Sequence, residues 1–410
     1  MIRRHPAILV AVALSVTLWA TAAAEAGRIV AVGDVHGELD GFVAILQETG
    51  LVDDRMHWIG GDATLIQMGD VFDRGLEVRG VLDLLMRLQK EARRAGGRVE
   101  MILGNHEAMN LTGFFRDVHP EVFSTFADGR SKHRRNQLWS DVKRYRNVRD
   151  LSVDDETFEA WQAAHPLGWI EYVEAIGRKG HYGKWLRERP VAVLIDGVLF
   201  IHGGVGPEIS GQSVEGLNET VRRELEVLDR TRNYLVTVGI LPETAGLAEI
   251  GMAVQVILHE ADKPDSTDLI RRHADMVRDV AGIDSWLLLS PEGPLWFRGA
   301  AGWDEAERGA EMAALIDGIG AERMVVAHTP AQDGNIHVRF GGRVFLVDTG
   351  MLSEYYEGGR PSALEIDGGA FTAIYLDGER EVLLGGEALD RAAELVVPAV
   401  GAEPVAASAR

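Results

Sequence analysis

"RIVAVGDVHG", residues 28–37, is an unbroken apolar run that stops at Gly33 and is followed at once by Asp34 and His36. A run of that kind, bounded by glycine, is the pattern of a strand buried on both faces, with polar groups at its carboxyl end. Downstream, Leu39, Phe42, Val43 and Leu46 recur at helical spacing and stop at Gly50. "TLIQMGD" reads as a second strand. Val78, Val81, Leu82, Leu85 and Leu88 form a second helix ending near Gly96 and Gly97, and "RVEMILGN" is a third strand. The order β-α-β-α-β implies parallel strands whose carboxyl ends share one edge, where such sheets bind their ligands.

From about Leu111 to Arg189 the pattern is helical and mixed in charge. It is read as an inserted helical subdomain (111–189). "VAVLIDGVLFIHGG" then places two apolar runs around Asp196-Gly197, the signal of a tight hairpin that returns the chain to the sheet. A second insertion, 206–290, contains amphipathic stretches such as "VRRELEVLD". The last strands, "RMVVAHTP", "HVRFGGRVFLVDTGM" and "SALEIDGGAFTAIYL", read as antiparallel, and an alanine-rich tail runs over 386–410. The main domain on this reading is 27–385.

Composition narrows the chemistry. With 46% hydrophobic residues the chain can bury a substantial core. Sixty-three acidic against 42 basic residues give a formal charge of −21, which repels polyanions over about 8 Å and argues against nucleic-acid binding. Cysteine is absent, so any metal must use nitrogen and oxygen ligands. At the N-terminus, basic "MIRRHP", the uncharged run 7–24 and an Ala24-x-Ala26 pattern read as an export signal (1–26). The alternative is an uncleaved anchor, since that run approaches the roughly 20 residues that span a bilayer. The expected location is periplasmic or secreted, with no stable membrane span once the signal is cleaved.

Three corners follow the three parallel strands: "GDVHG" (33–37), "GDVFDRG" (69–75) and "GNHE" (104–107). Two later runs end in histidine, "LFIHGG" at His202 and "VVAHTP" at His328. Asp34, His36, Asp70, Asn105, His202 and His328 therefore converge from five strand ends. Such a set suits two divalent cations, with Asp34 and His36 on the first, Asn105, His202 and His328 on the second, and Asp70 bridging. Carboxylate, imidazole and amide suit manganese, iron, zinc, cobalt and nickel, and ligand type alone does not select among them; the expected ion is manganese. Two ions about 3.5–4 Å apart can share a hydroxide and clamp the attacking and leaving oxygens of a phosphoryl transfer.

These motifs, in this order, resemble the calcineurin-like metallophosphoesterase superfamily and, within it, the phosphoprotein phosphatases. "GPLWFRG" (293–299) and "GNHEAMN" resemble the branch called Shewanella-like protein phosphatases. The resemblance implies an α/β fold of two mixed β-sheets packed as a sandwich and flanked by helices, with a dinuclear site at the sheet edge. It implies that His106 protonates the leaving oxygen, that Asp73 orients His106, and that Arg74 clamps phosphate. Leu103 stands where the eukaryotic enzymes carry arginine, so one phosphate contact is missing, and Arg298 is the candidate to replace it. "AHTP" lacks the second histidine found in many superfamily members, which leaves the first ion few protein ligands.

The implied reaction is phosphomonoester hydrolysis by a metal-bridging hydroxide, on a protein carrying phosphorylated Ser, Thr or Tyr. The alternatives are a small-molecule phosphoesterase acting on nucleotides or dinucleoside polyphosphates, and a non-catalytic metal-binding interaction protein. Glu107 is expected to brace its loop, and Tyr355 and Tyr356 to fall near the site. The basic patch "GRSKHRRNQLW" (129–139) reads as a solvated helix face, and Trp161, Trp169, Trp185 and Trp286 as packing within the insertions.

Overall fold

A computed structural model describes residues 27–148, 155–376 and 378–385. The export segment and the alanine-rich tail lie outside the described residues. β1 (Ile29–Val32), β2 (Thr64–Gln67) and β3 (Arg98–Met101) are parallel in register, joined by α1 (Leu39–Glu48) and α2 (Val78–Ala95). Alternation along β1 explains its continuous apolar run. Ile29 and Ala31 enter the core between the sheets, while Val30 and Val32 pack on the layer of α1 and α2. Gly96, in the left-handed region, closes α2.

After β3 come α3 (Asn105–Thr112), α4 (Pro120–Phe126), α5 (Ser131–Val148), α6 (Asp155–Ala164), α7 (Trp169–Ile176) and α8 (His181–Leu186). The hairpin β4 (Ala192–Ile195) and β5 (Val198–Ile201) turns at Asp196-Gly197, both with positive φ, as an Asp-Gly turn requires. It opens a second sheet; it does not return to the first. The second helical segment holds α9 (Val214–Thr237), α10 (Leu247–Ala261) and α11 (Asp268–Val277), followed by α12 (Gly299–Gly302) and α13 (Glu305–Gly318). A forked ion pair from Arg187 to Asp229, at 2.7 and 2.9 Å, ties the first helical segment to α9.

β6 (Arg323–Val326), β7 (His337–Arg339) and β8 (Val344–Leu346) complete the second sheet, ordered β4-β5-β6-β8-β7. Here the antiparallel expectation needs correction, because β6 runs parallel to both β5 and β8. The cause is the connection: α13 carries the chain back before β6 begins, as a crossover to a parallel neighbour demands. β9 (Ser362–Asp367) and β10 (Ala370–Tyr375) are antiparallel as read; β11 (Arg380–Leu384), a strand not among those read from the sequence, pairs antiparallel with β10, and the three extend the first sheet to β11-β10-β9-β1-β2-β3.

The architecture is thus α/β, two mixed sheets face to face with helices outside. Ile66, Met68, Phe200, Val325, Phe345 and Phe371 fill the space between the sheets, with Phe345 and Phe371 stacked at 4.5 Å. Trp169 and Trp185 are buried among the insertion helices, as packing residues. No helix among the described residues is long and apolar enough to cross a membrane.

Candidate active site

Five of the eight non-glycine residues with positive φ among the described residues are His36, Asp70, Asp73, Arg74 and His328. The left-handed conformation costs an L-residue about 1–2 kcal/mol, so its concentration here requires neighbouring structure to hold it. The loops after β1 and β2 do so by interlocking: the N–H groups of Val35 and His36 donate to the Asp70 carbonyl, and that of Gly75 to the His36 carbonyl. Glu107 adds the main brace. Its buried carboxylate accepts from the N–H groups of Gly104, Asp70, Val71 and Phe72 at 2.7, 2.8, 2.8 and 3.3 Å, fastening the Asp70 loop to the start of α3. Gly69 and Gly104 lie back to back. A Cβ on Gly104 would sit 2.2 Å from Asp70 Oδ1, so only glycine lets the two corners approach.

The six ligand candidates are all buried and all at this point. His36, Asp70 and His106 bring nitrogen and oxygen atoms within 4.8 Å of one another, as do Asp70, His202 and His328. Asp70 belongs to both groups. Asp34 Oδ2 is 3.8 Å from His36 Nε2, while Oδ1 accepts the His328 N–H at 3.2 Å. Asn105 Oδ1 lies 3.0 Å and Asp70 Oδ2 3.2 Å from His202 Nε2.

Tautomers follow from the partners, since a carbonyl can only accept. Nδ1–H of His36 donates to Phe72 O at 2.8 Å, Nδ1–H of His202 to Met68 O at 2.7 Å, and Nε2–H of His328 to Trp296 O at 3.2 Å. His36 and His328 are thereby left with a bare nitrogen, the arrangement of histidines that bind divalent metal, whereas His202 turns its Nε2 to Asp70 and Asn105 oxygens and, although burial opposes it, Asp70 raises its pKa. Burial, then His106 and Arg74, hold the His36 imidazole down at about 3 despite Asp70, and burial with His202 holds His328 at about 2. Both stay neutral. Burial, Asp348 and Asp70 raise Asp34 well above the usual carboxylate range, and burial pushes Asp348 up to about 6. Asp348 Oδ2 is buried without a hydrogen-bond donor. Crowded buried carboxylates beside the neutral His36 and His328 leave room for further positive charge, which divalent cations would supply.

Next to these groups, His106 Nδ1 is 2.6 Å from Asp73 Oδ2. Burial opposes a charge on His106, but Asp70 and Asp73 outweigh it and raise its pKa. Arg74 donates to His36 Nε2 and to the Tyr356 hydroxyl and lies 3.2 Å from His106 Nε2. Its guanidinium also faces the rings of Tyr355 and Tyr356 at 5.1 and 5.3 Å. Arg298 is exposed and donates to His328 O and Thr329 Oγ1, both at 3.0 Å, at the second ligand group. Leu103 is buried in the core.

Three residues at the site are absent from the sequence-derived set. Asp348 lies in "VDTGM", where the sequence shows only a strand end. Asn110 donates to Asp73 Oδ1 at 2.9 Å, and Tyr172 donates to Asn110 Oδ1 at 2.5 Å. Asn110 sits inside "GNHEAMN", one helical turn after His106, which is the signal that could have found it.

Among proteins similar to this chain, Shewanella-like protein phosphatase 1 of Plasmodium berghei (strain Anka) is 26% identical over 362 residues, 87% of this chain and 76% of the relative. Shewanella-like protein phosphatase 2 of Arabidopsis thaliana is 32% identical over 209 residues, 48% of this chain and 51% of the relative. The crystal structure of a cold-active protein-tyrosine phosphatase of a psychrophile, Shewanella sp., superposes with a TM-score of 0.55 at 22% identity, covering 87% of this chain and 80% of that one, a likeness of fold. The model of the calcineurin-like phosphoesterases matches residues 27–237, which carry β1 to β5 and every ligand candidate but His328. The chain belongs to that family of metal-dependent hydrolases.

Proposed function

We propose that this chain hydrolyses phosphomonoesters on proteins, removing phosphate from Ser, Thr or Tyr side chains. The reading is carried by the His106–Asp73 pair, with His106 clustered with His36 and Asp70 on one side and Asp70 clustered with His202 and His328 on the other. A centre built only to hold ions has no use for an imidazole kept basic by a buried carboxylate. The similarity to proteins named as protein phosphatases supports a protein substrate.

In this reading Asp34, His36 and Asp70 hold one divalent ion, and Asp70, Asn105, His202 and His328 the other, with manganese the first choice. When bound, the ions supply Lewis-acid polarisation of phosphoryl oxygens and lower the pKa of coordinated water. The chain's own groups do the rest. The His36 Nε2 lone pair cannot serve both an ion and Arg74, so with an ion held by His36 the Arg74 guanidinium fork would be free to donate to two phosphoryl oxygens. Arg298 approaches from the side of His328 and offers the second cationic contact that Leu103 cannot make. Asp73 keeps the proton on His106 Nδ1, so the proton to be given to the leaving oxygen sits on Nε2. Export through residues 1–26 belongs to the same proposal, and N-terminal sequencing of the protein from the cell envelope tests it.

The substrate class is tested by comparing kcat/KM, with added manganese, on phosphoserine, phosphothreonine and phosphotyrosine peptides and on nucleotides, dinucleoside polyphosphates and sugar phosphates. The expected result is a phosphopeptide as best substrate. A substantially higher kcat/KM on a small metabolite than on every phosphopeptide overturns it.

A further inference from the structure

The carboxylate of Asp73 is held at both oxygens. Oδ2 meets His106, and Oδ1 accepts from Asn110 Nδ2, which also donates to the His106 carbonyl at 2.9 Å. The other end of the Asn110 amide accepts the Tyr172 hydroxyl at 2.5 Å. The Asp73 carboxylate and the His106 carbonyl can only accept, so the amide turns its NH2 to them and its oxygen to Tyr172, whose hydroxyl donates to it and holds that end in place. Tyr172 belongs to α7, inside the helical insertion, and is fully buried. Phe115, Phe123 and Phe126 surround its ring edge-on at 5.6, 5.1 and 5.1 Å, leaving the hydroxyl one direction in which to point. Burial, with Asp73 and Glu107 nearby, raises its pKa well above the usual phenol value, so it remains a donor.

We infer that Tyr172 and Asn110 are positioning residues for the acid of the reaction, so that the helical insertion sets the orientation of the His106 imidazole through Asp73. The inference rests on the proposed reading of His106 as that acid. It gives the insertion a mechanistic part: the aromatic cluster of α4 and α7 is the rigid support, and a four-residue hydrogen-bonded chain carries its position to the site. Helix packing outside the sheets is thereby coupled to proton donation within it.

Tyr172→Phe removes one oxygen and keeps the ring packing. In the full chain loaded with manganese, kcat on an alkyl phosphate, a poor leaving group that needs the proton, should fall about tenfold or more, part of the roughly 10²–10⁴ a general acid contributes. On a nitrophenyl phosphate, which needs no proton, kcat and KM should stay within about twofold. In a His106→Asn background, Tyr172→Phe should have no further effect, since both changes act through one group. Equal losses on both esters, or a full additional loss in the His106→Asn background, overturn the inference while leaving the acid role intact. If His106→Asn does not itself discriminate between the two esters, the acid role fails and the inference with it. Asn110→Ala is the second variant, with the same split between esters expected and the same outcomes decisive.

Discussion

Nδ1 of His106 and Oδ2 of Asp73 are 2.6 Å apart, with both side chains buried, and this contact separates His106 from three imidazoles whose ring N–H groups point to backbone carbonyls. His106→Asn should lower kcat on an ester with a poor leaving group by about 10²–10⁴, and Asp73→Asn by a smaller factor in the same direction. Steady-state kinetics on a series of esters of graded leaving-group pKa reads the effect as a steeper dependence in both variants. Full turnover by His106→Asn on the poorest leaving group contradicts the assignment.

Glu107 is a structural prediction. Its carboxylate satisfies four backbone N–H groups, and Glu107→Ala leaves those buried donors without partners. A buried group left unsatisfied costs about 1–3 kcal/mol, so a loss of about 3 kcal/mol or more is expected by urea denaturation, with metal affinity falling alongside as the Asp70 turn relaxes. A change below about 1 kcal/mol would show that the turn holds itself.

The parts that were legible in the sequence are local. A glycine corner after each buried strand announces both the strand's end and a short polar ligand, and parallel strands bring those ends together, so six scattered residues could be placed at one point. Glu107, next to Asn105 and His106, was legible as a brace for its own loop, but three of the four N–H groups it accepts from belong to the distant Asp70 loop. What was missed is non-local. Tyr172 meets Asn110 across 62 positions of chain, and no periodicity in α7 marks one tyrosine as different from a packing residue. Asp348 looks like any strand-terminal aspartate until Asp34 is seen beside it. The direction of β6 is hidden for another reason: alternation along a strand carries no direction, and only the helical stretch 305–318 before it sets which way the chain returns.

Glu224 on α9 supplies a pH prediction away from the metal ligands. It accepts from the N–H groups of Leu287 and Leu288, both at 2.9 Å, on the loop that precedes "GPLWFRG" and Arg298. Burial raises its carboxyl above the usual 4.5 despite those two bonds. The folded chain therefore holds this proton more tightly than the unfolded chain does. The stability it contributes is fully present below the unfolded value and is lost as pH rises through the folded one. Glu224→Gln cannot titrate, so the stability of the variant relative to the parent should improve as pH is raised from about 4 to about 7. Denaturation curves at both pH values check this, and a relative shift toward the parent contradicts it.

Asp70 stands in both histidine–carboxylate clusters, with His36 and His106 in one and His202 and His328 in the other, and a two-ion centre depends on that sharing more than on any other feature. Elemental analysis of the purified chain, reconstituted with manganese and freed of excess metal, counts the ions directly. The account predicts two per chain, and at most one, with hydrolysis lost, in Asp70→Asn. Two ions retained by Asp70→Asn, or a single ion in the parent at full activity, would contradict a centre bridged by Asp70.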